Sequence, residues 1–342
     1  MPAPRASGLY AALDLGTNNC RLLIARPDSG SFRVVDAFSR IVRLGEGLAE
    51  TGRLSQNAMD RAIEALKVCR TKLVDRRVGK ARLIATEASR AAENGRAFLD
   101  RVRAETGLIL EMIDRETEAR LAAEGCAPLA DPRANGVVLF DIGGGSTELV
   151  WMIPRGPGKA GGPQTAEVRA WISLPVGVVT LAERHGGRDV TPAGFKGMVD
   201  EVADLVAAFP AREAMRAQLA SLHLLGTSGT VTTLAGLHLD LPRYDRRRVD
   251  GLWLSRDEVD SVMGRLVAMD YDARVANACI GAERADLVLA GCAIFEGIRR
   301  HFPCERLRVA DRGLREGILI GLMRADGAWR RRGHPQFHGR RP

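Results

Sequence analysis

The chain has 342 residues, of which 46% are hydrophobic and 27% are charged, and its formal net charge is +8 at pH 7. This composition excludes a largely disordered protein, and the length is sufficient for two domains. No apolar segment approaches the roughly 20 residues that span a bilayer, and the first residues lack the apolar stretch of a signal peptide. The six cysteines include no Cys-x-x-Cys pair, which favours reduced thiols. We therefore expect a cytoplasmic protein without membrane contact.

In the first half, the spacing of apolar residues predicts three successive strands, followed by alternating helices and strands. The predicted strands span 9–14, 20–26, 32–40, 81–85 and 108–112, and the predicted helices span 56–73, 91–106 and 115–126. A cluster of turn-forming residues at 131–136 is the best candidate for a domain boundary.

The second half repeats this order. Strands are predicted at 137–141, 149–153, 167–173, 222–225 and 306–309, and helices at 192–209, after 229, and at 256–268, 283–301 and 314–325. The Gly- and Pro-rich loop at 154–163 is expected to be mobile. The repetition predicts an α/β protein with two mixed-sheet domains and a cleft between them. We assign residues 1–132 and the last helix, about 311–327, to the first domain and residues 133–310 to the second.

The chain ends in a basic segment that contains no acidic residue. Five of the positive charges lie in residues 329–342, and the segment shows no periodicity. It therefore predicts a disordered tail over 328–342. Without the tail the net charge is small, so we expect no specific binding of nucleic acid.

Each half opens with an apolar run that ends in an aspartate, a turn of small residues and a second apolar run. The aspartates are Asp14 and Asp141. Each pattern is typical of a β-hairpin whose glycine turn lets backbone N–H groups converge on a phosphate. The aspartate beside the turn can hold a divalent cation against the same phosphate. Two matching hairpins predict a duplicated fold that binds phosphate between its halves.

Cleavage of a phosphoanhydride requires neutralised phosphate oxygens and a water aimed in line with the leaving oxygen. The chain has no phosphate-loop ATPase motif, so these roles fall to the two hairpins. The predicted phosphate ligands are Gly16, Thr17, Asn18, Gly143, Gly144, Gly145, Ser146 and Thr147. The predicted ligands of a metal ion, or positioners of water, are Asp14, Asp141 and Glu148.

Several further segments carry a resemblance to a known family. They are residues 43–48, 85–90, 118–121, 225–230 and 311–317, together with the two hairpins. In this order they resemble the exopolyphosphatase/guanosine pentaphosphate phosphohydrolase family, within the actin–sugar kinase–heat-shock ATPase superfamily. The resemblance covers about residues 8–325. It implies two actin-like, ribonuclease H-like domains and a magnesium-dependent hydrolase that removes a terminal phosphate.

The resemblance also implies individual roles. Glu118 matches the glutamate that polarises the attacking water, and Arg90 and Arg43 match positions that can contact phosphate. Gly226 and Ser228 belong to the later glycine motif and are assigned to the phosphate ligands. Two departures from the family are visible. We expect the chain to lack the further helical domain of long members, and the first turn reads Thr17-Asn18-Asn19 where Ser-Asn-Ser is frequent.

Three functions compete. The main prediction is an exopolyphosphatase acting on inorganic polyphosphate with Mg²⁺, and its alternative is a phosphohydrolase that converts pppGpp to ppGpp. A kinase or ATPase of the same superfamily is less favoured, because Glu118 is placed for water activation. A non-catalytic sensor would lack a site carboxylate, and none is missing. A homodimer is expected.

Overall fold

The structure, a computed structural model, describes residues 8–157 and 162–329. These residues form two mixed β-sheets flanked by helices, which confirms the predicted fold class. No helix among them is both long enough and apolar enough to cross a bilayer.

The first sheet has five strands in the order β3-β2-β1-β4-β5. They are β1 (Tyr10–Leu15), β2 (Asn19–Asp28), β3 (Ser31–Ile41), β4 (Lys80–Ala85) and β5 (Glu111–Met112). Strand β2 pairs antiparallel with both β1 and β3, whereas β4 joins β1 and β5 joins β4 in parallel. The central position of β1 explains its nearly continuous apolar sequence, because both of its faces are covered.

The second sheet has six strands in the order β10-β11-β9-β6-β7-β8. They are β6 (Gly136–Ile142), β7 (Thr147–Pro157), β8 (Gln164–Leu174), β9 (Leu222–Thr227), β10 (Trp253–Ser255) and β11 (Arg306–Ala310). Strands β8-β7-β6-β9-β11 repeat the order and directions of the first sheet, and β10 adds an antiparallel edge. The duplication predicted from the two hairpins is therefore present in the topology.

Fourteen α-helices occur in the described residues. They are α1 (Leu48–Thr51), α2 (Gln56–Asp75), α3 (Glu87–Ala91), α4 (Gly95–Thr106), α5 (Arg115–Cys126), α6 (Val178–His185), α7 (Pro192–Val206), α8 (Arg212–Arg216), α9 (Gly229–His238), α10 (Arg246–Val249), α11 (Arg256–Val267), α12 (Tyr271–Ala276), α13 (Val288–His301) and α14 (Leu314–Ala325). Side chains that accept a backbone N–H fix several starts, among them Ser55, Asp114 and Thr191.

Two helices occupy the space between the sheets. Helix α14 covers the first sheet, where Ile318 and Leu319 share a core with Tyr10 and Ala12. Helix α5 covers the second sheet, and its alanines form a core with β6 and β9. We propose, as the sequence suggests, that α14 belongs to the first domain, although it follows the second domain in the sequence.

Helices α5 and α14 also contact each other through their backbones. A Cβ atom on Gly317 would lie 2.0 Å from the carbonyl oxygen of Leu121, and one on Gly125 would lie 1.9 Å from the carbonyl oxygen of Gly313. Glycine at positions 125 and 317 is thus required for this approach.

The predicted helix 91–106 begins later in the structure, and a separate short helix, which was not predicted, precedes it. Helix α3 ends at Ala91, and α4 begins at Gly95. The side-chain amide of Asn94 receives a hydrogen bond from the backbone N–H of Leu54 and donates one to its carbonyl oxygen, at 2.9 and 3.0 Å. This pairing draws the chain out of the helical path, which apolar spacing alone does not predict.

Other boundaries also differ from prediction. Of the predicted strand 108–112 only Glu111 and Met112 pair with β4. The loop predicted at 154–163 is shorter, because residues 154–157 extend β7 and pair with β8, and 158–161 lie outside the described residues. The predicted tail starts too early, since the indole of Trp329 donates to the carbonyl oxygens of Asp28 and Ser31. Residues 330–342 also lie outside the described part.

Candidate active site

A cavity of about 720 Å³ lies between the two sheets, at the carboxyl ends of β1, β6, β9 and β11. Such strand ends are the usual position of ligand sites in open α/β sheets. Both predicted hairpin turns line the cavity, as do the start of α5 and the segment that precedes α14. The volume is in the range of cavities that hold small molecules.

The two turns have the same hydrogen bonding. The Gly16 N–H donates to the carbonyl oxygen of Asn19 at 2.9 Å, and the Gly143 N–H donates to that of Ser146 at 2.9 Å. Strand register then places Asp14 opposite Arg21, and Asp141 opposite Glu148. Both aspartates line the cavity.

The turns also face each other across the cleft. A Cβ atom on Gly144 would lie 2.9 Å from Cβ of Thr17, and one on Gly145 would lie 2.9 Å from the Thr17 hydroxyl oxygen. Thr17 and Asn18 are accordingly buried. The glycines let the two turns approach, so phosphate placed at one turn is near the other.

Four of the carboxyl groups that line the cavity influence one another electrostatically: Asp14, Glu118, Asp141 and Glu148. Burial raises the pKa of Asp141 to about 7, with further contributions from the negative charges of Glu118 and Asp14. Burial, and then Asp141, raises the pKa of Glu148 to about 7, although the hydroxyls of Ser173 and Ser146 oppose this. The cluster therefore favours the uptake of protons or of a cation.

The three predicted metal residues do not converge on one point. Among the described residues, no three Asp, Glu, His or Cys side chains are close enough to hold one ion together. The Glu148 carboxylate instead accepts hydrogen bonds from Ser146 at 2.9 Å and Ser173 at 2.8 Å. The prediction that Asp14, Asp141 and Glu148 hold a metal ion or position water stays a prediction.

Glu118 is placed by the first turn of α5. The Asp114 carboxylate caps this helix by accepting from the Thr117 N–H at 2.7 Å. Arg90 donates to Oε2 of Glu118 at 3.2 Å. The pKa of Glu118 is raised well above its usual value by burial and then by Glu148, and Arg90 opposes this. A carboxylate with raised proton affinity in a cleft is suited to act as a general base.

Two arginines in the cavity are not predicted from the sequence. Arg21 and Arg315 both line it, and neither guanidinium has a hydrogen bond or ion pair within the described residues. Both interact electrostatically with Asp14 and Asp141. Unpaired guanidinium groups in a cleft are donors for phosphate oxygens. Arg21 could be found from the hairpin register, because it is the cross-strand partner of Asp14.

Not every predicted phosphate ligand reaches the cavity. The Thr147 side chain is fully buried, and its hydroxyl donates to the carbonyl oxygen of Val176 at 2.7 Å. A Cβ atom on Gly226 would lie 2.4 Å from the ring of Phe140, so this glycine serves packing. Arg43 forms an ion pair of 3.1 Å with Asp286 across the cleft.

The other predicted ligands lie in or next to the cavity. Ser228 lines it with a buried hydroxyl that has no hydrogen-bond partner, and its φ of 129° is unusual for serine. Asn19 also lines the cavity. Arg90 lies behind Glu118, where it binds the carbonyl oxygen of Ile113 at 2.6 Å.

Fold and cavity together define a duplicated α/β protein with a polar cleft between its two sheets. Comparison with known families makes this specific: residues 23–326 match the model of the Ppx/GppA phosphatase family. The chain belongs to that family, and the predicted family membership is confirmed.

Individual relatives agree with this assignment. The chain is 30% identical over 321 residues to a guanosine-5'-triphosphate,3'-diphosphate pyrophosphatase of Aeromonas hydrophila, an alignment that covers 93% of this chain and 60% of the relative. The chain thus spans about 60% of that relative's length. A Ppx/GppA family member from Aquifex aeolicus has a TM-score of 0.74 at 31% identity and is covered over 98% of its length, with 93% of this chain aligned. An exopolyphosphatase from Cytophaga hutchinsonii has a TM-score of 0.81 at 25% identity, with the same coverages.

Proposed function

We propose that the chain hydrolyses the terminal phosphoanhydride of guanosine pentaphosphate, pppGpp, and releases orthophosphate. The observation that supports this proposal best is the cavity, where two glycine turns, two unpaired arginines and Glu118 meet. The curated relative at 30% identity is named for this substrate. We therefore reverse the order suggested by the sequence, which ranks polyphosphate first.

The chemistry follows from the groups present. Backbone N–H groups of the two turns and the guanidinium groups of Arg21 and Arg315 bind the phosphate oxygens. Glu118 takes a proton from the water that attacks the terminal phosphorus in line with the leaving oxygen. The cavity walls hold the phosphate chain in that alignment, which lowers the entropic part of the barrier.

A divalent cation fits the donor set. The candidates are hard oxygen donors, and their pKa values are raised first by burial and then by neighbouring negative charges. Mg²⁺ usually binds through one or two carboxylates, waters and substrate phosphates, so the absence of a three-carboxylate cage in the described residues does not oppose it. We propose Asp141 and Asp14 as its holders, with Glu148 acting through water. The ion would neutralise charge on the bridging phosphate oxygens.

Inorganic polyphosphate is the second candidate substrate. It is supported by the likeness to the Cytophaga hutchinsonii exopolyphosphatase, of which the chain covers 98%. Both substrates present the same terminal phosphoanhydride, so the same groups can cleave either.

The test is phosphate release from pppGpp, polyphosphate and ATP, measured side by side with magnesium and with a chelator. We expect magnesium-dependent release from pppGpp, with kcat/KM above that for ATP. Faster release from polyphosphate than from pppGpp would restore the sequence-based ranking. Release from neither, with ATP consumed, would contradict the proposal and favour a kinase or ATPase.

A further inference from the structure

A chain of four charged side chains leads from the surface to Glu118. Arg115 donates to Oε1 of Glu87 at 2.8 Å and to its Oε2 at 3.2 Å. Oε2 of Glu87 also accepts from Nε of Arg90 at 3.2 Å and from Nη2 of Arg90. The same Nη2 donates to Oε2 of Glu118 at 3.2 Å. Two carboxylates thus share one nitrogen of Arg90.

This arrangement restrains Glu118 at one oxygen only. Among the described residues, Arg90 donates the one hydrogen bond that the Glu118 side chain accepts, which leaves Oε1 free. Glu118 lines the cavity. The free oxygen is therefore the one available for a substrate water.

Glu87 is enclosed on both sides. Its side chain is 13% exposed, and it lines the same cavity as Glu118. A Cβ atom on Gly145 would lie 3.3 Å from Cγ of Glu87, so the stem of Glu87 packs against the second hairpin turn. Its carboxylate cannot swing away from the arginines without losing this packing.

We propose that Glu87 is a positioning residue for the catalytic base: by binding Arg90 and Arg115 together, it limits the pairing of Arg90 with Glu118. This inference rests on the proposed function. Without the charge of Glu87, two cations would face Glu118, because Arg115 also interacts electrostatically with Glu118 and Glu148. Arg90 would then pair fully with Glu118, and the base would hold the proton of the attacking water less well.

Helix α5, which carries Glu118, also has an exposed ion pair that lies apart from this network. Glu116 pairs with Arg120 at 2.8 Å, and both side chains are at least half exposed. Glu116→Gln is therefore a matched control, which removes a carboxylate near the start of α5 without touching the network.

The experiment is a double-mutant cycle read by steady-state kinetics on the substrate that the wild-type enzyme hydrolyses. Glu87→Gln keeps the shape of the side chain and removes its charge, and we expect kcat to fall about tenfold or more while KM changes less than about twofold. Arg115→Gln alone should lower kcat by about threefold at most. In Glu87→Gln/Arg115→Gln the second cation is removed but Arg90 is still released from Glu87, so kcat should lie above the product of the two single effects and below the Arg115→Gln value.

Several results would contradict the positioning role of Glu87. If the effects of the two single substitutions on kcat multiply in the double variant, the positioning role is overturned. A change of KM in place of kcat in Glu87→Gln would also overturn it, because Glu87 would then contact the substrate. An unchanged kcat in Glu87→Gln would also overturn it. Thermal unfolding of each variant is measured alongside, and if Glu87→Gln does not fold, Glu87→Asp replaces it, with a smaller fall of kcat expected. Failure of the proposed function is distinguishable, because the wild-type protein itself would then release no phosphate.

Discussion

The two hairpin turns share a backbone but carry opposite charges on the second strand. In both, the first glycine N–H bonds to the carbonyl oxygen three residues later at 2.9 Å, and in both an aspartate ends the first strand. The residue opposite the aspartate is Arg21 in the first turn and Glu148 in the second. The same position of the duplicated hairpin is therefore occupied by a cation in the first half and by a carboxylate in the second.

The turns also differ in their small residues. Thr17 and Asn18 of the first correspond to Gly144 and Gly145 of the second, and the side chain of Thr17 fills the space that the glycines leave. The two turns have the same backbone hydrogen bond but side chains of different size, which allows the two copies of the motif to pack face to face. We propose that the second strand of the first hairpin adds Arg21 to the phosphate ligands, whereas that of the second hairpin adds Glu148 to the cation site of Asp14 and Asp141.

The largest expected effect is at Glu118, the proposed base at the start of α5. Glu118→Gln should lower kcat by a factor of roughly 10² or more, because a positioned base is lost. Phosphate release under saturating substrate measures this. Glu116→Gln is the control, and a wild-type rate in Glu118→Gln would show that the base lies elsewhere.

The second prediction tests the different roles proposed for Arg21 and Glu148. Arg21→Gln should raise KM by about tenfold, because one charge-assisted hydrogen bond to phosphate is lost. The magnesium requirement should stay unchanged. Glu148→Gln should raise the magnesium concentration for half-maximal rate and change KM less. Magnesium titrations at several substrate concentrations separate the two. If both variants respond alike, the proposed division between the halves is wrong.

The third prediction concerns the glycine contact that joins the halves. Gly317→Ala should lower the free energy of unfolding by about 1–3 kcal/mol, because its Cβ would meet the carbonyl oxygen of Leu121 at 2.0 Å. Gly321→Ala on the same helix is the control, since its nearest neighbour is the Glu124 carboxylate at 3.7 Å. That variant should gain up to about 1 kcal/mol from helix propensity. Urea unfolding of both measures the difference, and equal signs would contradict the structure.

The smallest effect is on pH dependence. The pKa of Asp141 is about 7, well above its value in an unfolded chain, so the folded protein holds this proton more tightly. The stability that the bound proton contributes is present at low pH and is lost as pH rises through about 7. In chelator, the thermal midpoint should therefore fall from pH 5 to pH 8, and less steeply in Asp141→Asn.

Asp36 is the control for this slope, because Lys72 holds the pKa of its carboxyl below the usual value. Its contribution is lost only when pH falls below about 4, so Asp36→Asn should keep the wild-type slope between pH 5 and pH 8. A slope in Asp141→Asn equal to that of Asp36→Asn would show that Asp141 does not titrate in this range.

Much of the fold can be predicted from local patterns. Strands β1, β6 and β9 have apolar sequences bounded by turns, and α5 and α14 begin and end where the sequence predicts. The hairpin turns were identifiable because aspartate and glycine recur in matching contexts. Short elements such as β10 carry too few residues to show a period, so they are not predicted.

The limits of the sequence lie in contacts between distant segments. Gly226 reads as part of a glycine motif, yet its role depends on the ring of Phe140 on a neighbouring strand. Arg315 reaches the cavity only because α14 packs on the first sheet. The shared nitrogen of Arg90 likewise requires α3 and α5 to meet. Such contacts depend on tertiary packing, which no local pattern encodes.

The backbone contact between α5 and α14 also sets how the cleft can open. The chain leaves the first sheet through α5 and returns to it through α14, so both covalent crossings lie side by side and act as one hinge. Opening would then break contacts at the opposite rim, where Arg43 pairs with Asp286 at 3.1 Å and the Gly47 N–H donates to Glu183 at 3.1 Å. We infer that these rim contacts add to the cost of admitting a bulky substrate.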